Sequence, residues 1–186
     1  MDLKEFESLL KDIERGEIDI FSAFSKVAAA NKVSDLGYAK IDHGRHERCG
    51  FPEFIYGEGK TPEQITAIVK EIIKDKKAVL VTRISPEKAK IVLKKIKKAS
   101  YDEIARCLFV KTGKPDKTGG KALIVTAGTS DLYVALEAKH TLELSGCEAE
   151  IISDSGVAGI HRLFAESGKL KSASVIIAVA GMEGAL

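Results

Sequence analysis

Two stretches of this 186-residue chain, "VTAGTSDLYVAL" and "DSGVAGIHRLF", hold residue types whose spacing could do chemistry. In the first, a buried-type strand ends in a small, hydroxyl-bearing turn that opens a helix. The amides of residues 128–131 then stand at the positive end of a helix dipole, where an anion is stabilised. Gly128, Thr129 and Ser130 supply amide and hydroxyl donors, whereas Asp131 suits a ribose diol or a metal better than a phosphate. Plain N-capping by Thr129 or Ser130 is the competing reading. In the second stretch His161 and Arg162 follow a glycine-punctuated loop at the mouth of a helix. An imidazole beside a permanent guanidinium suits proton transfer next to a bound phosphate; the plainer alternative is a helix that happens to begin with His-Arg. A third glycine-rich turn, "AGMEGAL", adds Glu183, which could bind a metal or a ligand hydroxyl.

Residues this far apart meet only if the elements between them bring them together. Beyond residue 120 the chain alternates: "KALIVTAG", "EAEIIS" and "SVIIAVAG" read as strands, while "DLYVALEAKHTLELSG" and "HRLFAESGKL" read as helices. Continuous apolar strands separated by helices predict a parallel sheet, and hence a doubly wound, flavodoxin-like α/β unit. Ligands of such folds bind outside the carboxyl ends of the strands, where all three turns would lie. With three strands against the five or so of a usual sheet, the unit is expected to be incomplete. Neither GxGxxG nor GxxxxGK[ST] occurs, so neither the usual dinucleotide fingerprint nor a P-loop is indicated.

Before this unit, "KTGKPDKTGG" has no apolar side chain and reads as a linker. It sets expected boundaries of 1–114 for a small α/β portion and 115–186 for the doubly wound unit. Within 1–114, apolar residues at helical spacing from Leu3, broken by Gly16, predict two short helices. A glycine-bearing segment with two brief strands should follow. Thr61-Pro62-Glu63-Gln64 and Ser85-Pro86-Glu87-Lys88 each carry an N-cap and a first-turn proline, so helices begin there. "AVLVTRI" and "IARCLFV" read as strands.

Composition narrows the function classes. Lysine plus arginine (29) nearly balances aspartate plus glutamate (27), so no global field draws the chain to nucleic acid or membrane. The lysine-rich "KAKIVLKKIKK" keeps enough apolar residues to read as one solvated helix face. There is no long apolar run and no signal-peptide pattern, and a cytoplasmic protein is expected. Cys49, Cys107 and Cys147 are odd in number and lack CxxC spacing, which argues against a disulfide framework or zinc cluster. In "KIDHGRHERCGFPE" six ionisable groups crowd residues 42–48. An exposed charged loop is one reading; a ligand-facing segment, with Arg45 and Arg48 as anion contacts, is the other.

"GYAKIDHGRHERCGFPEFIYGEGKTPEQ", "VTAGTSD", "DSGVAGIHRL" and "VIIAVAGMEGAL", in this order, resemble the LarB family of pyridinium-3,5-biscarboxylic acid mononucleotide synthases, which act in nickel-pincer nucleotide synthesis. The later part resembles, more distantly, the aminoimidazole ribonucleotide carboxylases and mutases of purine synthesis. Their Gly-Ser-x-Ser-Asp and Ala-His-Arg motifs correspond to Thr129-Ser130-Asp131 and Ile160-His161-Arg162. The "RCGFPE" block separates the two and favours the first. That resemblance implies carboxylation of the pyridinium ring of nicotinic acid adenine dinucleotide by carbon dioxide or bicarbonate, with hydrolysis of the phosphoanhydride to release AMP. It implies a nucleotide substrate, a magnesium ion and a homo-oligomer. Roles follow residue by residue: proton transfer for His161, phosphate contacts for Arg162 and the helix-start donors, and ribose or magnesium for Asp131 and Glu183. The family's ring-activating cysteine lies C-terminal to the "GMEGAL" motif, where this chain stops, so a truncated family member is expected. A purine carboxylase and a non-catalytic nucleotide-binding module are the alternatives.

Overall fold

The computed structural model describes residues 3–30, 33–45, 49–113, 115, 117, 119–181 and 184–186. The chain divides into two compact units, Met1–Glu53 and Phe54–Leu186.

The first unit begins with two helices, α1 (Leu3–Glu14) and α2 (Ile20–Ala30), as the helical spacing predicts. They are separated at Gly16, whose φ of 70° is readily adopted only without a Cβ. Leu9 and Ala23 are buried between them, while Leu3, Phe21 and Phe24 stay exposed. A short antiparallel hairpin follows, β1 (Val33–Asp35) with β2 (Lys40–Asp42). Its turn is held by the Gly37 amide donating to Asp35 Oδ1 at 2.7 Å.

The second unit contains two sheets. β3 (Glu53–Tyr56), β4 (Val79–Thr82), β5 (Ser100–Asp102) and β6 (Cys107–Val110) form the first, in the order β3-β4-β6-β5. Its helices start where the capping signals put them. Before α3 (Pro62–Lys74), Thr61 Oγ1 accepts from the Gln64 amide at 3.2 Å and Gln64 Oε1 accepts from the Thr61 amide at 3.0 Å, a reciprocal capping box. Ser85 caps α4 (Pro86–Lys95) through the Lys88 amide. Ile65, Val69, Val79, Val81 and Val92 are fully buried, so α3, α4 and the sheet share one core.

The second sheet is parallel: β7 (Lys121–Thr126), β8 (Glu148–Ile152) and β9 (Val175–Val179), in the order β8-β7-β9. The expected α/β class and flavodoxin-like parallel unit are therefore present. β7 is central and buried along most of its length, whereas Val175 and Ile176 of β9 remain about half exposed. Helix α5 (Leu132–Leu144) joins β7 to β8. It is apolar on more than one face because it has two sheets to cover: Leu136 and Leu144 pack with Leu80 and Cys107 of the four-stranded sheet, and α5 also packs on β7 and β8. The single helix expected over "HRLFAESGKL" is instead two, α6 (Ile160–Ala165) and α7 (Ser167–Ser172), with Glu166 at the junction. Ser167 and Gly168, both weak helix formers, begin the second piece. Leu163 and Leu170 still pack together on Leu123, Val125 and Ile152. Among the described residues no helix is long and apolar enough to cross a membrane.

Candidate functional site

The strand order places a switch point at β7: the chain leaves it for β8 on one side and returns to β9 on the other. The loops that follow such strands diverge and leave a crevice at their carboxyl ends. Here the three strand exits are also tied to one another by backbone. Ala127 N donates to Val179 O at 3.0 Å, Ser155 N to Thr126 O at 2.9 Å, Gly156 N to Ala127 O at 2.9 Å and Val157 N to Ala185 O at 3.2 Å. Thr126 is fully buried, and its hydroxyl accepts from the Asp154 amide at 3.1 Å. A Cβ at Gly156 would stand 2.9 Å from Ala127 O and 3.2 Å from Ala185 O, so this crossing of three chain segments requires glycine.

The turn after β7 is a single 3₁₀ turn, Thr129–Asp131. Asp131 Oδ2 accepts from the Gly128 amide at 2.9 Å, and the Asp131 amide donates to Gly128 O at 3.2 Å. Asp131 therefore holds the loop, and the Gly128 amide is already satisfied within it. Thr129 and Ser130 are exposed, and no side chain caps α5. Their hydroxyls are thus left out of the capping role that competes with ligand binding.

The turn after β8 contains the other pair. His161 is exposed, and its ring has no partner among the described residues. Arg162 pairs through Nη1 with Asp154 Oδ2, while its Nε lies 3.5 Å from Gly159 O. The guanidinium rests against the bare Cα of Gly159. Asp154 itself sits at a φ of 56°, a left-handed conformation that aspartate tolerates better than most side chains. Sequence reasoning passed over Asp154; the available signal was an Asp-Ser-Gly run directly after a strand, which marks a left-handed turn.

Three candidates remain. Arg45 belongs to the first unit, where its Nε lies 3.6 Å from Glu53 and its guanidinium 5.3 Å from the Phe51 ring centroid. Arg48 and Glu183 lie outside the described residues. Among the described residues no three His, Cys, Asp or Glu side chains come together to hold a metal ion. One Asp131 oxygen is engaged by the Gly128 amide, which leaves the other for a ligand.

A family model described as the LarB/PurE-like N-terminal domain matches residues 33–112. An uncharacterized protein of Methanocaldococcus jannaschii is 37% identical over 192 residues, an alignment that covers 98% of this chain and 75% of that protein.

Proposed function

The chain belongs to the LarB family, which is carboxylase/mutase-like, and from that premise we propose that it carboxylates the pyridinium ring of nicotinic acid adenine dinucleotide and hydrolyses the dinucleotide's phosphoanhydride. The observation that carries this reading is the meeting of three strand exits at the switch point, with the exposed Thr129 and Ser130 hydroxyls on one loop and His161 and Arg162 on the next.

In this reading the Thr129 and Ser130 hydroxyls and the Arg162 guanidinium hold the phosphates, for which a fork of N–H donors is well shaped. Arg162 must exchange Asp154 for phosphate oxygens as the ligand enters, so Asp154 keeps the cation in place until then. Carbon dioxide or bicarbonate supplies the new carboxyl carbon, and His161 takes the proton that the ring carbon gives up. Attack of water on the phosphoanhydride releases AMP. Gly128 and Asp131 shape the loop, with the second Asp131 oxygen directed to ribose hydroxyls. Homo-oligomerisation is part of the proposal, since the half-exposed Val175 and Ile176 gain from being covered.

The test is incubation of the protein with nicotinic acid adenine dinucleotide and ¹³C-bicarbonate, followed by mass spectrometry. AMP together with a mononucleotide carrying the label supports the proposal. Turnover of aminoimidazole ribonucleotide in a parallel incubation, with the dinucleotide untouched, would transfer the site to purine-type chemistry.

A further inference from the structure

A second concave site lies in the same unit but uses none of the strand-exit residues. It is a cleft of about 780 Å³ whose lining includes Arg83, Lys88, Glu103, Ile104, Arg106 and Tyr133. Two of its arginines occupy left-handed backbone, Arg83 at φ 53° and Arg106 at φ 50°. Such a conformation is unfavourable for a long side chain, and pairs of such residues concentrate at functional sites. The two turns are fastened together by the Ile84 amide, which donates to Arg106 O at 3.0 Å.

The three cations differ in how they are held. Arg83 Nε donates to Glu137 at 2.6 Å and its guanidinium lies 5.6 Å from the Tyr133 ring centroid. That fixes the side chain and leaves its terminal nitrogens without a partner among the described residues. Lys88 Nζ donates to Glu58 O at 2.7 Å, which fixes the ammonium and leaves further N–H donors. Arg106 is exposed and has no side-chain partner among the described residues. Two preset cations and one free one are an arrangement for an anion with several oxygens. The Glu58 carboxylate is engaged by the Tyr56 hydroxyl, whereas Glu103 has no partner among the described residues and can accept from ligand hydroxyls. Tyr133 and Ile104 offer apolar surface, being 40% and 59% exposed.

We propose that this cleft binds a phosphorylated nucleoside, with Arg83, Lys88 and Arg106 on the phosphate, Glu103 on the sugar hydroxyls and Tyr133 and Ile104 against the base. The arginine guanidinium is the residue of choice for such a phosphate, and an aromatic ring with an apolar neighbour gives a base a face to stack on. Tyr133 stands two positions after Asp131, in the first turn of α5, so the cleft and the strand-exit loops share one helix start.

The test titrates ADP, inorganic pyrophosphate and adenosine into the whole chain by calorimetry, with hydrogen exchange to locate binding. ADP should protect residues 83–88 and 103–106, and pyrophosphate should bind more weakly than ADP. Arg106→Ala should weaken ADP by roughly tenfold or more, the usual consequence of losing charged hydrogen bonds. Adenosine affinity should change little. Arg106 is exposed, so folding is not at stake, and Arg106→Lys should restore part of the loss. Equal ADP affinity in Arg106→Ala and the parent chain, or no protection in those two segments at millimolar ADP, overturns the proposal. This readout involves no turnover, so it fails or succeeds independently of the carboxylation assay.

Discussion

His140 Nε2 lies 2.8 Å from Asp102 Oδ2, which joins α5 to the edge strand β5 across 38 residues of sequence. The His140 ring also stacks at 4.9 Å on Phe109, so the pair is held from a second side. Burial raises the Asp102 carboxyl, but the Ala105 amide and His140 more than offset it, and its pKa falls below the ordinary carboxylate value. A carboxyl depressed in the folded state contributes stability above its unfolded pKa of about 3.9 and loses that contribution as pH falls through the folded value. Asp102→Asn should therefore cost about 1–2 kcal/mol at neutral pH. The gap from the parent chain should begin to narrow below about pH 4 and close only as pH falls through the lower, folded value. Urea unfolding at pH 7 and pH 3.5 checks both statements.

Cys107 is fully buried, and burial pushes its thiol up to about 12. A raised thiol stabilises the fold below the unfolded pKa of about 8.5, and that stability is lost as pH rises toward the folded value. Between about pH 9 and 12 the parent chain should lose roughly 1.4 kcal/mol per pH unit more than Cys107→Ala. Iodoacetamide at neutral pH should alkylate the exposed Cys49 and leave Cys107 untouched until denaturant is added. Peptide mapping by mass spectrometry reads this directly.

Gly156→Ala places a methyl group against two backbone oxygens that cannot step aside as a side-chain end would. The expected loss is about 1–3 kcal/mol, as for other overpacked positions. Its effect should be local. Hydrogen exchange should show faster opening at residues 126–127 and 155–157, with β3 to β6 unchanged.

Arg162 and Asp154 are both well exposed, so their pair matters more for ligand entry than for folding. Arg162→Ala should weaken phosphorylated ligands more than a phosphate-free nucleoside. Asp154→Asn should have the opposite effect on phosphate affinity, since it removes the competitor for the guanidinium. Equal losses for both ligand types in Arg162→Ala would remove this residue from the phosphate contacts.

Much of the framework was legible in the sequence because it depends on local pattern. The apolar runs of β7, β8 and β9 and the caps at Thr61 and Ser85 lie where periodicity and capping chemistry put them. β1 and β5, at three residues each, were not legible, because so short a strand is defined by its partner rather than by its own period. The loops that hold the candidate site were legible, because each directly follows a strand read from its apolar run. Their pairings were not. That Asp131 turns back onto the Gly128 amide, and that Arg162 meets Asp154, depends on loop backbone, including a left-handed aspartate, which no hydrophobic pattern encodes. The Arg83 and Arg106 cleft was missed for the same reason: two arginines 23 positions apart converge only because left-handed turns end β4 and precede β6.

The central claim is that the three strand exits form one site for a dinucleotide. Hydrogen exchange of the chain with and without saturating nicotinic acid adenine dinucleotide tests it most directly, since binding is read without turnover. The account predicts joint protection of residues 126–131, 154–162 and 179–186, reduced by Ser130→Ala and by Arg162→Ala. Protection confined to one of these segments, or none at millimolar dinucleotide, would contradict it.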